Sequence, residues 1–261
     1  MGTTTGAERR VSALRDVFAW FSDPATWTGY AGIPTRVTEH LLLSGTALAL
    51  ALPVAVGAGL FIGHTRRAEF VTVSLANLGR AVPSFAILAL AFPISLRLGL
   101  GLGFWPTVVA LFFLAIPPIL TNTYVGVKGV DADAVEAARG MGLSGTQVLR
   151  SLEIPLAAPL IVAGVRTSAV QVVATATLAA VIAGGGLGRF IVDGFAFGVR
   201  GIEGRQMVMG GAILVALLAL ATEVAFGLLE RRVGPRQVTV RAGRDDPVRL
   251  GPPLARDDAT R

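Results

Sequence analysis

Side chains able to do covalent or metal chemistry are scarce in this sequence. Cysteine is absent, which removes disulfides, thiolate metal ligands and cysteine nucleophiles. The two histidines, His40 and His64, stand at the edges of the first long apolar run. Neither has a second histidine or a carboxylate at metal-ligand spacing, so each reads as a polar interface residue. No GxxxxGK[ST] stretch exists to hold nucleotide phosphates. No catalytic residue, cofactor or metal is therefore expected. The residues whose types and spacing carry information lie between Gly129 and Pro155, in GVDADAVEAARGMGLSGTQVLRSLEIP. Asp133 followed by Glu136 resembles a helix start. Gly140 and Gly142 end that helix, and Ser144 with Gln147 fits a capping box for a second one. Pro155 opens a third helical stretch, where a missing amide proton is harmless. Two short capped helices with an Arg/Glu surface suit a docking elbow, and the work they can do is mechanical.

Such an elbow needs something to anchor it. The chain has 261 residues, 53% hydrophobic and 15% charged, with a mean hydropathy of +0.67. Ordinary soluble domains carry roughly a quarter charged residues. Uncharged runs cover 41–63, 81–96, 98–127, 167–188 and 206–222. A bilayer-spanning helix needs roughly 17–25 apolar residues, and a chain this small has too little interior to hide five such runs. The expected fold is an all-α integral membrane protein with five or six transmembrane helices and a cytoplasmic two-helix elbow.

Spans are expected at about Leu41–Gly63, over 70–98 as one bent helix crossing after Pro83, and at Trp105–Val127, Leu160–Gly186 and Gln206–Leu229. Pro117-Pro118 reads as a break in the third, and Gly59 with Gly63 allows close helix approach in the first. Residues 1–40 form a leader with an amphipathic stretch at Val11–Phe21 and no removable signal. Residues 41–230 form the membrane domain, including the cytoplasmic loop 128–155. Residues 231–261, rich in arginine and aspartate, are expected to be a disordered cytoplasmic tail. The basic residues of the short loops favour an external N-terminus. The net charge of +6 therefore reads as membrane topology, with no nucleic acid among the partners. Among polar residues at membrane depth, Asn122, Gln171, Thr175 and Thr177 are candidates for a translocation path. Ser168 is one of several that suit helix–helix bonds. Arg166 reads as the cytoplasmic boundary of span four. Glu223 is a functional candidate by its depth, with a structural role beside Arg231 equally open.

The elbow's residues resemble the signature loop of ABC importer permeases. Glu136-Ala137-Ala138, three residues, Gly142, nine residues and Leu152-Glu153-Ile154-Pro155 follow the family pattern, with Leu for Ile and Ile for Leu at two aliphatic positions. The stretches Asn122–Gly126 and Ala174–Gly188 are similar to the osmoprotectant subgroup, which takes up glycine betaine, carnitine or choline. This resemblance implies a permease subunit in the plasma membrane of a prokaryote. It implies cytoplasmic ATPase subunits, a second permease, identical or paralogous, and an external substrate-binding protein. It assigns ATPase coupling to Glu136, Ala137, Ala138, Gly142, Leu152, Ile154 and Pro155, with Glu136 either pairing with a basic ATPase residue or capping its own elbow. The competing reading is a stand-alone secondary transporter or channel, with Glu223 as its main support. A membrane enzyme has no residues to stand on.

Overall fold

In a computed structural model of the chain, residues 15–66, 74, 83–199 and 201–233 are described. Residues 15–22 form helix α1, and a single turn at Pro24–Trp27 follows. The long helices are α2 (Ile33–Thr65) and α4 (Phe104–Lys128), with the shorter α3 (Ser84–Arg97) between them. After the elbow helix α5 (Ala132–Gly140) comes α6, continuous from Gly145 to Ile182. The short α7 (Gly188–Phe197) and the final α8 (Ile202–Val233) complete the order. Among the described residues four helices, α2, α4, α6 and α8, are long and apolar enough to cross a membrane, and α3 is a shorter apolar helix. The all-α membrane architecture is thus the one the sequence implies. Of the bent helix expected over 70–98, most of the part before Pro83 lies outside the described residues.

The bundle is held by small residues. Ala47, Ala51 and Ala55 of α2 are fully buried beside Val108, Leu111, Ala115 and Ile119 of α4. A Cβ at Gly59 would stand 2.6 Å from the Thr123 Cβ, and one at Gly63 would stand 2.7 Å from the Val127 Cβ. The four-residue glycine spacing therefore does bring the α2 and α4 backbones together, as dispersion-driven packing in a membrane requires.

Several local expectations need correction. The first span begins at Ile33, eight residues before the uncharged run, because Pro34 fits the first helical turn and the polar first turns pack against other elements. Pro117-Pro118 does not break α4, which runs unbroken past both. One turn away, the Ser168 hydroxyl of α6 donates to the Ala115 carbonyl at 2.7 Å, tying α4 to its neighbour beside the two prolines. Span four does not begin at Leu160, and Pro155 does not open a new helix. The helix is already running from Gly145, and a π-helical turn at Leu149–Glu153 carries it into the membrane segment. A wider turn leaves the amide lost at Pro155 without breaking the rod. The elbow's second helix is thus the cytoplasmic extension of the span itself. Arg166 lies within this continuous helix, level with the last turns of α8. Its guanidinium pairs with Glu223 and, at 2.7 Å, with Glu230 of α8.

Candidate functional site

The elbow is built from local capping. Asp131, not Asp133, starts α5: its carboxylate accepts from the Asp133 amide at 2.8 Å and the Ala134 amide at 3.0 Å. A cap must lie outside the helix with its oxygen two or three residues back from the amides it serves, and Asp131 meets that geometry. Glu136 therefore does not cap its own elbow. At the other end, the Met141 amide donates to Ala137 O, the Gly142 amide to Arg139 O and the Leu143 amide to Ala138 O. Gly142 has φ +89°, a conformation L side chains rarely adopt, so the turn depends on glycine there. Ser144 and Gln147 close the expected capping box, with the Ser144 amide donating to the Gln147 side chain at 2.8 Å.

This backbone sorts the motif into two faces. Ala138 is buried, while Glu136, Ala137, Gly142 and Pro155 are exposed and Leu152 and Ile154 are half-buried. Glu136 takes part in no ion pair among the described residues. Met141, at the tip between two glycines, is 75% exposed. A large flexible apolar side chain there is a ready contact for another protein. A lone methionine between two glycines carries no spacing signal in the sequence.

The elbow is fixed to the membrane bundle by His64 at the end of α2. Its Nδ1 lies 2.6 Å from Glu153 Oε2, and its ring rests on Gly145, where a Cβ would stand 3.3 Å from Nε2. Glu153 is itself buried. His64, Arg66, Glu136, Arg139 and Glu153 line a cleft of about 450 Å³ between the end of α2 and the elbow. His64 is thus a structural tie that spacing could not reveal, since its partner is distant in the chain.

The four path candidates are not gathered into one site. Asn122 donates from Nδ2 to Pro118 O at 2.8 Å, and its Cβ packs against Gly164 of α6. Thr177 donates to Ala174 O at 2.9 Å. Gln171 is exposed and Thr175 half-buried on the chain's surface. Thr167, Gln171 and Ala174 are exposed on one side of α6, a weakly polar stripe at helical spacing.

At the bundle end opposite the elbow, α6 tightens into a 3₁₀ segment at Ala176–Ile182, followed by Gly184-Gly185-Gly186. His40 is completely buried there. Its Nε2 donates to Val173 O at 2.8 Å, and its Nδ1 accepts from the Leu187 amide at 3.3 Å. The neighbouring Glu39 accepts the Gly186 amide at 2.7 Å and Arg36 at 2.9 Å, both through Oε2. His40 is therefore a buried clamp, not an interface residue. Its helix supplies the hydrogen bonds that the unwound end of α6 cannot make for itself.

Comparison with known proteins matches this chain over residues 51–235 to the family described as binding-protein-dependent transport system inner membrane component. The carnitine transport permease protein OpuCB of Listeria monocytogenes is 40% identical over 200 residues, covering 77% of this chain and 87% of the relative. The glycine betaine/carnitine/choline transport system permease protein OpuCB of Bacillus subtilis (strain 168) is 38% identical, with 77% and 88% covered. Among solved structures, an inward-facing form of the MetNI methionine ABC transporter matches with a TM-score of 0.69 at 20% identity. The match covers 82% of this chain and 100% of that one, and at this identity it speaks for the fold alone.

Proposed function

As a member of the family of binding-protein-dependent transport system inner membrane components, the chain is a multi-pass transport subunit, and we propose that its cargo is a quaternary ammonium osmoprotectant such as glycine betaine, carnitine or choline. The observation that carries this reading is the 40% identity to a carnitine permease over most of both chains. The chain is a transport component of an ATP-driven importer, not an enzyme. Membership implies a separate ATPase and a substrate-binding protein as partners.

The docking surface is the elbow. Glu136, Ala137, Ala138, Gly142, Leu152, Ile154 and Pro155 carry the coupling, with the exposed Met141 added at its tip. Small Ala137 leaves room for a groove of the ATPase to close over α5, and the unpaired Glu136 offers a carboxylate to a basic residue. Tied through His64 and Glu153, a push on the elbow reaches α2 and α6 together. A second permease, identical or paralogous, covers the stripe of α6 that bears Gln171 and Thr175. Asn122 and Thr177 then serve nearby helix contacts of the path. The chain divides into the leader 1–40, the permease domain 41–230 with its loop 128–155, and the tail 231–261. It resides in the cytoplasmic membrane of a prokaryote, elbow inward. The stand-alone transporter loses its main support, because Glu223 is paired with Arg166.

The test is uptake of labelled glycine betaine, carnitine, choline and methionine by proteoliposomes. These contain this chain, its ATPase, its paired permease and the binding protein. ATP-dependent entry of at least one quaternary ammonium solute, and none of methionine, is expected. Uptake without ATP or binding protein would contradict the reading.

A further inference from the structure

At the end opposite the elbow, three spans meet around a cavity of about 220 Å³. Glu39 of α2, Phe104 at the start of α4 and the unwound backbone of Ala183, Gly184 and Gly185 line it. The approach of these elements is close: a Cβ at Gly103 would overlap Gly184, and one at Gly185 would overlap the Glu39 carboxylate. Glycine at 103 and 185 therefore sets Phe104 and Glu39 beside the same stretch of bare main chain. From this convergence we infer that Glu39, the Phe104 ring and the 183–185 backbone form a subsite for the trimethylammonium group of the solute on its way through the membrane.

The chemistry follows from what such a group needs. It carries a diffuse positive charge and has no N–H, so hydrogen-bond acceptors aimed at a donor are wasted on it. It is held by a carboxylate, by an aromatic face and by carbonyl dipoles. The first two line this cavity, and for the third the Ala183 carbonyl oxygen stands beside Gly103 of its wall, 2.9 Å from where a Cβ there would lie. Glu39 Oε2 is occupied by Arg36 and the Gly186 amide, and Oε1 accepts no hydrogen bond among the described residues. Phe104 is 39% exposed, so its ring is not consumed by core packing. Arg36 tempers the carboxylate, and a single ring is far from a closed aromatic cage. Both features make the site weak, and a transit site must release what it admits. An amide at position 39 would still accept the Gly186 N–H but would offer no charge to a cation.

The inference rests on the quaternary ammonium reading, so the experiment separates the two. The complete permease–ATPase complex, without binding protein, is placed in nanodiscs of phosphatidylethanolamine and phosphatidylglycerol, so that no lipid carries a trimethylammonium group. Saturation-transfer NMR then probes choline against its uncharged isostere 3,3-dimethyl-1-butanol. Choline methyls should saturate strongly in the wild type, and the isostere several-fold less. Glu39→Gln retains an acceptor for Gly186 but removes the charge, and Phe104→Leu retains bulk but removes the ring. Each should cut the choline signal roughly tenfold while the complex elutes intact. Equal signals for choline and its isostere, or wild-type choline signals in both variants, would overturn the subsite. Uptake by the full system, measured in parallel, reports on the cargo. Import of a quaternary ammonium solute with no effect of either variant removes only the subsite. Absence of such import removes the cargo reading on which the subsite's role depends.

Discussion

The two ends of the membrane bundle are stabilised by opposite means. At the elbow, order is local: Asp131 caps amides two and three residues on, and Gln147 reaches back to Ser144. The surface so made is exposed, and its charge is unspent. At the other end, order is long-range. Glu39 and His40 bond to Gly186 and Leu187, 147 residues away in each case, and His40 to Val173 across 133. The caps and turn of that surface are made locally, and the His64–Glu153 contact only ties it to the bundle. An unwound span end has no such independence and borrows its hydrogen bonds from a neighbouring helix.

The sharpest way to break this contrast is at the clamp. His40→Ala leaves the Val173 carbonyl and the Leu187 amide without their buried partner. Each unsatisfied group costs about 1–3 kcal/mol, so a large fall in thermal stability and in membrane abundance is expected. Unchanged melting of the purified protein would show that the clamp is not structural. Gly142→Val comes next. A β-branched residue at φ +89° costs about 1–3 kcal/mol of backbone strain. The elbow shifts while the spans remain, so transport should be lost with membrane abundance reduced only in part. Asp131→Ala should be milder: loss of an N-cap costs about 1 kcal/mol. It is expected to lower ATPase co-purification several-fold and leave the melting of the membrane bundle in place. A variant that melts like His40→Ala would erase the distinction between the ends.

The same contrast explains what was legible in the sequence. The capping box at Ser144 and Gln147 and the glycine turn at Gly142 are short-range signals, and they appear in the structure where spacing puts them. The apolar runs likewise announced the spans, because lipid demands long apolar helices whatever their neighbours. What escaped was set by partners distant in the chain. His40 and His64 looked like interface residues because nothing near them in sequence needs a histidine. The partners of Arg166 were not legible, because Glu223 and Glu230 arrive from α8, far along the chain. Pro117-Pro118 looked like a break because each removes an amide from the helical ladder, yet the buried α4 runs on through both. The short helix α7 fell below the length that marks a span. Its Arg189–Asp193 pair at 2.7 Å shows a helical spacing that could have flagged it.

If the elbow acts through its surface and not through the stability of the fold, Glu136→Lys separates the two. The position is exposed and pairs with nothing among the described residues, so the swap should change stability by no more than about 0.5 kcal/mol. A lysine would then face the basic partner that Glu136 is proposed to meet, and like charges brought together across an interface cost several kcal/mol, roughly tenfold or more in docking. The measurement is ATP-driven solute uptake, with membrane abundance and ATPase co-purification determined on the same preparations. Normal abundance is expected, with uptake and co-purification both reduced roughly tenfold or more. Full uptake and full co-purification at normal abundance would contradict it.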